Sequence, residues 1–239
     1  MDLFNQNLIL PIAILLTAIA GYLLNKVDLT GSIIGLIIAL FIWTAVGLEG
    51  ITALFLFFVI GSLATSWKKD LKSKQKLEQE NEGKRSIFNV LGNIGVAGII
   101  SVCAIVLPSY KPVLIIMAVA SFATACSDTL SSELGNVYGK KYYCILTFNP
   151  SRRGPDGVIS AEGLFFGLIG SFIIASSMLL FHYSVYVVLT VAISGFLGNI
   201  IDSLLGATLQ QKGYLNNHHV NFVATLCGSL ICFFLQIAF

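Results

Sequence analysis

Two aspartates stand in sequence that is otherwise apolar enough to enter a membrane. The run PVLIIMAVASF leads into ATACSDTLSSE (123–133), which holds Ser127, Asp128, Ser131, Ser132 and Glu133. A second run, GFLGNIIDSLLGATLQ (195–210), holds Asp202. A charge held in hydrocarbon costs roughly 3 kcal/mol or more, so each acid needs a partner or a task. Each aspartate is followed by a hydroxyl and a leucine, as Asp128-Thr129-Leu130 and Asp202-Ser203-Leu204. Paired oxygen donors of this kind are what a hard divalent cation takes.

The segment GNVYGKKYYCILTFNPSRRGPDGVIS (135–160) brings positive charge beside the acids in Lys140, Lys141, Arg152 and Arg153. Gly154, Pro155 and Gly157 impose tight turns, in which backbone N–H groups can face an anion. Ser151 and Ser160 flank that turn, and a helix start follows it, a second feature favourable to phosphate. No GxxxxGK[ST] loop occurs, which excludes the soluble P-loop arrangement, and the Rossmann fingerprint is missing too. Acids for a metal ion, a basic turn for phosphates and a lipid-embedded frame point to phosphoryl or nucleotidyl transfer at the membrane surface. Such chemistry is mainly charge neutralisation and positioning.

The frame follows from composition. Of 239 residues, 56% are hydrophobic and 11% charged, with a mean hydropathy of +0.86. A soluble domain carries about 25% charged residues. The expected class is an all-α polytopic membrane helix bundle, forming one integral membrane domain over residues 1–239. A spanning helix needs about 20 residues, and eight segments qualify or nearly so: 5–24, 30–48, 50–67, 86–108, 112–134, 158–181, 184–208 and 220–239. The second and third are separated only by Gly47–Gly50, a tight re-entry. MDLFNQN has no basic n-region and no cleavage site follows, so the first run is read as a retained helix. The five cysteines lack a CxxC and read as small buried hydrophobes.

Orientation follows from Lys and Arg. With both termini outside, every basic residue except Lys111 falls inside: Lys26, those of 68–85, those of the 135–160 loop and Lys212. KKDLKSKQKLEQENEGKR (68–85) is read as a charged cytoplasmic loop and 135–157 as a cytoplasmic phosphate-binding loop. Counted from the outer ends of their helices at about 1.5 Å per residue, Asp128 lies about 26 Å deep, Asp202 about 27 Å and Asn89 about 28 Å. Three polar groups from three helices thus share one level near the cytoplasmic surface. They share faces too. Ser121, Thr124, Asp128 and Ser131 or Ser132 form one stripe, Arg85, Asn89 and Asn93 a second, and Gly195, Gly198, Asn199, Asp202 and Gly206 a third. The glycines of the third allow close helix approach.

ATACSDTLSSELG, PSRRGPDGVISAEG and GFLGNIIDSLLGATLQ, with KRSIFNVLGNIGVAG (84–98) and GSLATSWKKDLK (61–72), resemble the integral-membrane phytyl-phosphate kinase family, which also contains transmembrane protein 19-like proteins. The likeness runs from about residue 61 to residue 230, in several motifs that keep their order. It implies a polytopic kinase that converts a prenyl monophosphate, phytyl- or geranylgeranyl-like, to the diphosphate with CTP as donor. More distantly, the Asp helix and basic turn are similar to dolichol and phytol kinases and CDP-diacylglycerol synthases, which use CTP and Mg²⁺. By that analogy Asp128 binds metal, and Arg152 and Arg153 hold nucleotide phosphates; Asp202 and Asn93 lie in matching motifs. The working mechanism takes Asp128, Asp202, Arg152 and Arg153 as the catalytic set, with Asp128 and Asp202 as metal ligands joined by Glu133 or Asp156. Lys140, Lys141, Ser151, Gly154, Gly157, Ser160, Asn89 and Asn93 complete the nucleotide- and phosphate-binding set.

Two neighbouring chemistries remain open at this stage: a prenol kinase acting on the free alcohol, and a cytidylyltransferase joining CMP to a lipid phosphate. A small-molecule transporter is the alternative from another class, although transporters place polar residues near the midplane. The expected partners are the membrane and a prenyl-phosphate lipid, without nucleic acid; a homodimer stays open. The expected location is a prokaryotic plasma membrane with the active site on the cytoplasmic side.

Overall fold

Apolar runs in lipid must close their backbone hydrogen bonds within the segment, and helices do so. In a computed structural model, which describes residues 3–74 and 84–238, an apolar helix occupies each of the eight predicted segments. Residues 75–83 of the charged loop lie outside the described residues. The elements are α1 (Leu3–Leu23), α2 (Leu29–Ala45), α3 (Leu48–Ser66), the short polar α4 (Lys69–Lys74), α5 (Ile87–Val106) and α6 (Lys111–Tyr138). After a loop follow α7 (Ala161–Ser176), α8 (Val185–Leu205) and α9 (Asn217–Ala238). Six of these helices, α3 and α5–α9, have the length and hydropathy to cross a bilayer, α7 together with the 3-10 turn that carries it to Phe181. The apolar part of α1, Leu8–Leu23, and α2 are shorter and pack on each other. The chain is therefore a multi-pass, all-α membrane protein.

Helix starts are set by capping side chains that satisfy backbone N–H groups no helical carbonyl reaches. Asp28 accepts from Gly31 N at 2.6 Å, and Ser160 from Gly163 N at 3.0 Å. Ser86 and Asn89 form a capping box for α5. The expected tight re-entry sits at Gly47, whose φ of +88° suits glycine. A parallel bridge pairs Val27 with Arg85 and ties the α1–α2 turn to the start of α5.

The bundle is organised around α6, which is almost wholly buried and touches α3, α5, α7, α8 and α9. Small residues make that possible. A Cβ on Gly198 would lie 2.5 Å from Thr124 Cγ2, and one on Gly195 2.7 Å from Ala123 Cβ. Large apolar side chains such as Leu63, Val106, Phe165, Leu180 and Phe234 are exposed on the outer helices, as a lipid-facing surface requires. All five cysteines are free, Cys126 and Cys232 buried.

The loop between α6 and α7 is not wholly irregular. It folds into a three-stranded antiparallel sheet of order β2-β1-β3, with β1 Tyr142–Cys144, β2 Pro150–Ser151 and β3 Val158–Ser160. Tyr142 pairs with Ser151 on one side and with Ser160 on the other.

Candidate functional site

A cavity of about 300 Å³ lies where α5, α6, α8 and α9 end against this loop. Helix α6 contributes Asp128, Thr129, Ser131, Ser132 and Glu133 to its wall. Asn199, Asp202 and Ser203 come from α8, and Asn89 and Asn93 from α5, with Arg85 just before it. Both Asp-hydroxyl pairs therefore line one cavity, and the three groups predicted to share a level do meet. Helical periodicity explains this: residues three or four apart fall on one face, and the glycines of α8 bring its face against α6.

The carboxylates feel one another. Asp202 lies within electrostatic reach of Asp128 and Asp156, and Asp128 within reach of Glu133. Asn221 of α9 supports Asp202: with its amide turned to face two acceptors, it donates to Asp202 Oδ2 at 3.2 Å and to the Asn217 carbonyl at 3.0 Å.

Glu133 has a different neighbour. Its Oε2 pairs with Lys72 Nζ at 2.5 Å, both side chains being almost inaccessible. Lys72 also donates to the carbonyls of Ala64 (3.2 Å) and Thr65 (2.6 Å). A cation there satisfies the open carbonyls at the C-terminal end of α3 and meets the negative end of its dipole. Glu133 Oε1 is buried without a hydrogen-bond partner. As a metal ligand, Glu133 is thus half committed, because one oxygen is held by an ammonium group.

Among the described residues, Arg85 is the single Lys or Arg on the cavity wall, against Asp128, Glu133, Asp156 and Asp202. Lys72 offsets Glu133, so three carboxylates face one guanidinium. Desolvation lowers the Arg85 pKa to about 10, opposed by the charge of Glu133, so it remains cationic at neutral pH. Among the described residues no three acidic, His or Cys side chains converge as a closed metal cage. Mg²⁺ does not need one, since it commonly takes one or two carboxylates and completes its octahedron with water and substrate phosphates. Asp128 and Asp202, acids on facing helices with like charge and a polar cavity between, fit such an ion.

The basic residues of the loop depart from expectation. Lys140, Lys141, Ser151, Arg152 and Arg153 do not line the cavity. Lys140, Lys141 and Arg152 are exposed, and Arg153 Nη1 donates to the Asn136 carbonyl at 2.7 Å. For Ser151 the sheet order gives the reason. Strand β2, which carries Ser151, is separated from β3 and the cavity by β1, about 10 Å at the usual strand spacing. What does reach the cavity is the turn itself, Gly154, Pro155, Asp156 and Gly157, with Ser160 beyond it. Ser160 and Asn89 line the wall while serving as caps: Ser160 Oγ accepts from Gly163 N, and Asn89 Oδ1 from Ser86 N at 2.9 Å. Asn93 Nδ2 donates to the Asn89 carbonyl at 2.8 Å.

The turn is seated on a π-helical segment, Gly206–Gln210, that extends α8, a distortion often found at functional sites. Gly157 has φ +73°, and a Cβ there would come within 2.5 Å of Ala207 Cα. Gln211 Nε2 holds the Asp156 carbonyl at 2.7 Å. Sequence reasoning missed Lys72, Asn217 and Asn221 as parts of this region. Asn217 and Asn221 carried a signal, being polar and four apart at the start of an apolar helix. Lys72 carried none, because it sits in a run of other lysines.

Comparisons with known proteins agree with the motif reading. An uncharacterized membrane protein of Methanocaldococcus jannaschii is 34% identical over 229 residues, covering 96% of this chain and 92% of that protein. Protein VTE6, chloroplastic, of Arabidopsis thaliana is 31% identical over 201 residues, 81% of this chain and 60% of its own length. An uncharacterized membrane protein of Synechocystis is 30% identical over 202 residues, 82% of this chain and 77% of that protein. No solved structure matches the chain significantly. The family model described as integral membrane protein DUF92 matches residues 12–229. With its motifs, its helices and its relatives in agreement, the chain belongs to the DUF92 family of integral membrane proteins.

Proposed function

We propose that this protein is a CTP-dependent kinase that converts a prenyl monophosphate to the diphosphate at the cytoplasmic face of a prokaryotic plasma membrane, with both chain termini outside. The observation that carries the reading is the pairing of Asp128 and Asp202 in one polar cavity at the end of a lipid-embedded bundle. The resemblance to the phytyl-phosphate kinase family supports the substrate class. Asp128 and Asp202 would hold Mg²⁺, which would supply charge neutralisation at the phosphate oxygens. The Gly154–Gly157 turn presents backbone N–H groups to the nucleotide phosphates. Asn221 keeps the Asp202 carboxylate oriented. An oxygen of the lipid phosphate attacks the γ-phosphorus of CTP, the bond to the β-phosphate oxygen breaks, and CDP departs with that electron pair. A phosphate monoester loses its second proton with a pKa near 6, so the attacking oxygen needs no strong base.

The purified protein with prenyl monophosphates and CTP tests this. Label from the γ-phosphate should enter the lipid while CDP is released. Label from the α-phosphate in the lipid, with pyrophosphate released, would mark a cytidylyltransferase and overturn the reading. Transfer to prenols alone would overturn it too. Within this reading, Gly157→Ala displaces the turn from Ala207 and is expected to slow turnover about a hundredfold, as misplacement by an ångström does. Steady-state rates on folded, monodisperse protein check it.

A further inference from the structure

A second cavity, of about 400 Å³, lies among α1, α2, α3 and α5. Its wall is almost entirely apolar, formed by side chains such as Ile14, Leu36, Ile51, Phe55, Phe57 and Ile94. Three hydroxyl residues, Thr17, Ser32 and Thr52, also lie along it, and three further polar residues, Arg85, Asn89 and Asn93, line the polar cavity as well. The two spaces therefore share one wall, made by the polar stripe of α5 and the residue before it. Pockets of 300–1,000 Å³ with apolar walls and few polar groups are typical small-molecule sites.

Arg85 is built into that wall. Its guanidinium stacks over Phe57 at 5.0 Å and Phe58 at 5.9 Å from the ring centres. The side chain fills the space that Gly61 leaves open, so a Cβ at Gly61 would collide with it. Its backbone is pinned through Arg85 N to the Lys26 carbonyl (3.0 Å) and Asp28 N to the Arg85 carbonyl (2.9 Å). A cation held between an apolar pocket and a polar one complements a molecule with an anionic head and a hydrocarbon tail.

Resting on the kinase reading for the identity of the head group, we propose that the α1–α2–α3–α5 pocket holds the isoprenoid chain of the lipid substrate and that Arg85, with Asn89 and Asn93, binds its phosphate at the junction. The tail stays among apolar side chains, and the phosphate points past α5 toward Asp128 and Asp202. Arg85 is then a substrate-binding residue that separates a prenyl phosphate from the uncharged prenol. The pocket, and not the catalytic cavity, sets the chain length accepted.

Gly35 offers a clean test, because it lines the pocket and a Cβ there would meet only Val90 Cγ1 at 3.9 Å. Gly35→Phe should lower kcat/KM for geranylgeranyl monophosphate by about tenfold or more while leaving dimethylallyl monophosphate little changed. Arg85→Gln should raise KM for the monophosphate far more than it lowers kcat. The independent readout is photo-crosslinking of the wild-type protein with a prenyl monophosphate that carries a diazirine on its last isoprene unit. Adducts on α1, α2 and α3 are expected, reduced in Gly35→Phe and competed by unlabelled lipid phosphate. Adducts elsewhere, or an unchanged chain-length profile in Gly35→Phe, overturn the proposal even if the kinase is active. Adducts in the pocket without any phosphoryl transfer would uphold it while removing the kinase reading. Should Arg85→Gln fail to fold, Gly35→Phe and the crosslinking still decide.

Discussion

Asp128→Asn should leave the protein inserted and folded while cutting prenyl-phosphate phosphorylation by about a thousandfold or more. The exchange keeps the shape of the side chain and removes its charge. In the cavity that charge is one of three carboxylates facing a single guanidinium, so the proposed metal site loses half of its aspartate pair. Loss of several kcal/mol of transition-state stabilisation corresponds to a rate factor of about a thousand. Steady-state rates against Mg²⁺ concentration check this, with size-exclusion profiles and helical circular dichroism as controls for folding. A variant that turns over like the wild type removes Asp128 from the metal site. Glu133→Gln in the same assay should cost far less, because Glu133 already answers to Lys72.

The second large effect is on stability. Lys72→Met is expected to destabilise the protein by about 3–5 kcal/mol, the usual result of leaving one member of a buried ion pair alone. Glu133 would remain almost inaccessible with its Oε2 unpaired and its Oε1 already without a hydrogen bond. Removing both charges, in the Lys72→Met Glu133→Gln double variant, should restore part of the loss, since a buried pair replaced as a pair is often nearly neutral. The recovery is partial because the carbonyls of Ala64 and Thr65 lose their donor in either variant. Thermal unfolding in detergent across the four members of the cycle measures the coupling. A single Lys72→Met variant as stable as the wild type would show that the ion pair carries no net weight.

Much of the site was legible in the sequence because its acids lie on long, strongly periodic helices. Depth and face can be counted along such a helix, so the sequence alone sets Asn89, Asp128 and Asp202 on one level. Side chains that reach their place through tertiary contacts were not legible. Lys72 stands among other lysines, and only the packing of α4 on α6 distinguishes it. The placement of the loop cations off the cavity wall was not legible for a related reason. Arg152 and Arg153 are near Asp156 along the chain, but Arg152 is exposed and Arg153 is turned to the Asn136 carbonyl. Arg85 is legible as the first member of a polar stripe, while its position between two cavities depends on α1, α2 and α3, which no local pattern encodes.

The glycines that draw α7, α8 and α9 onto α6 have a consequence for how this family can change. Where backbones meet at Gly195 and Gly198, there is no side chain to enlarge or trim, so the half that holds the acids resists drift. The N-terminal half is walled by leucines, isoleucines and phenylalanines that can be exchanged one methylene at a time. On the proposed reading, selection for a longer or shorter lipid would therefore act on α1 to α3 and leave the proposed reaction centre inherited almost intact.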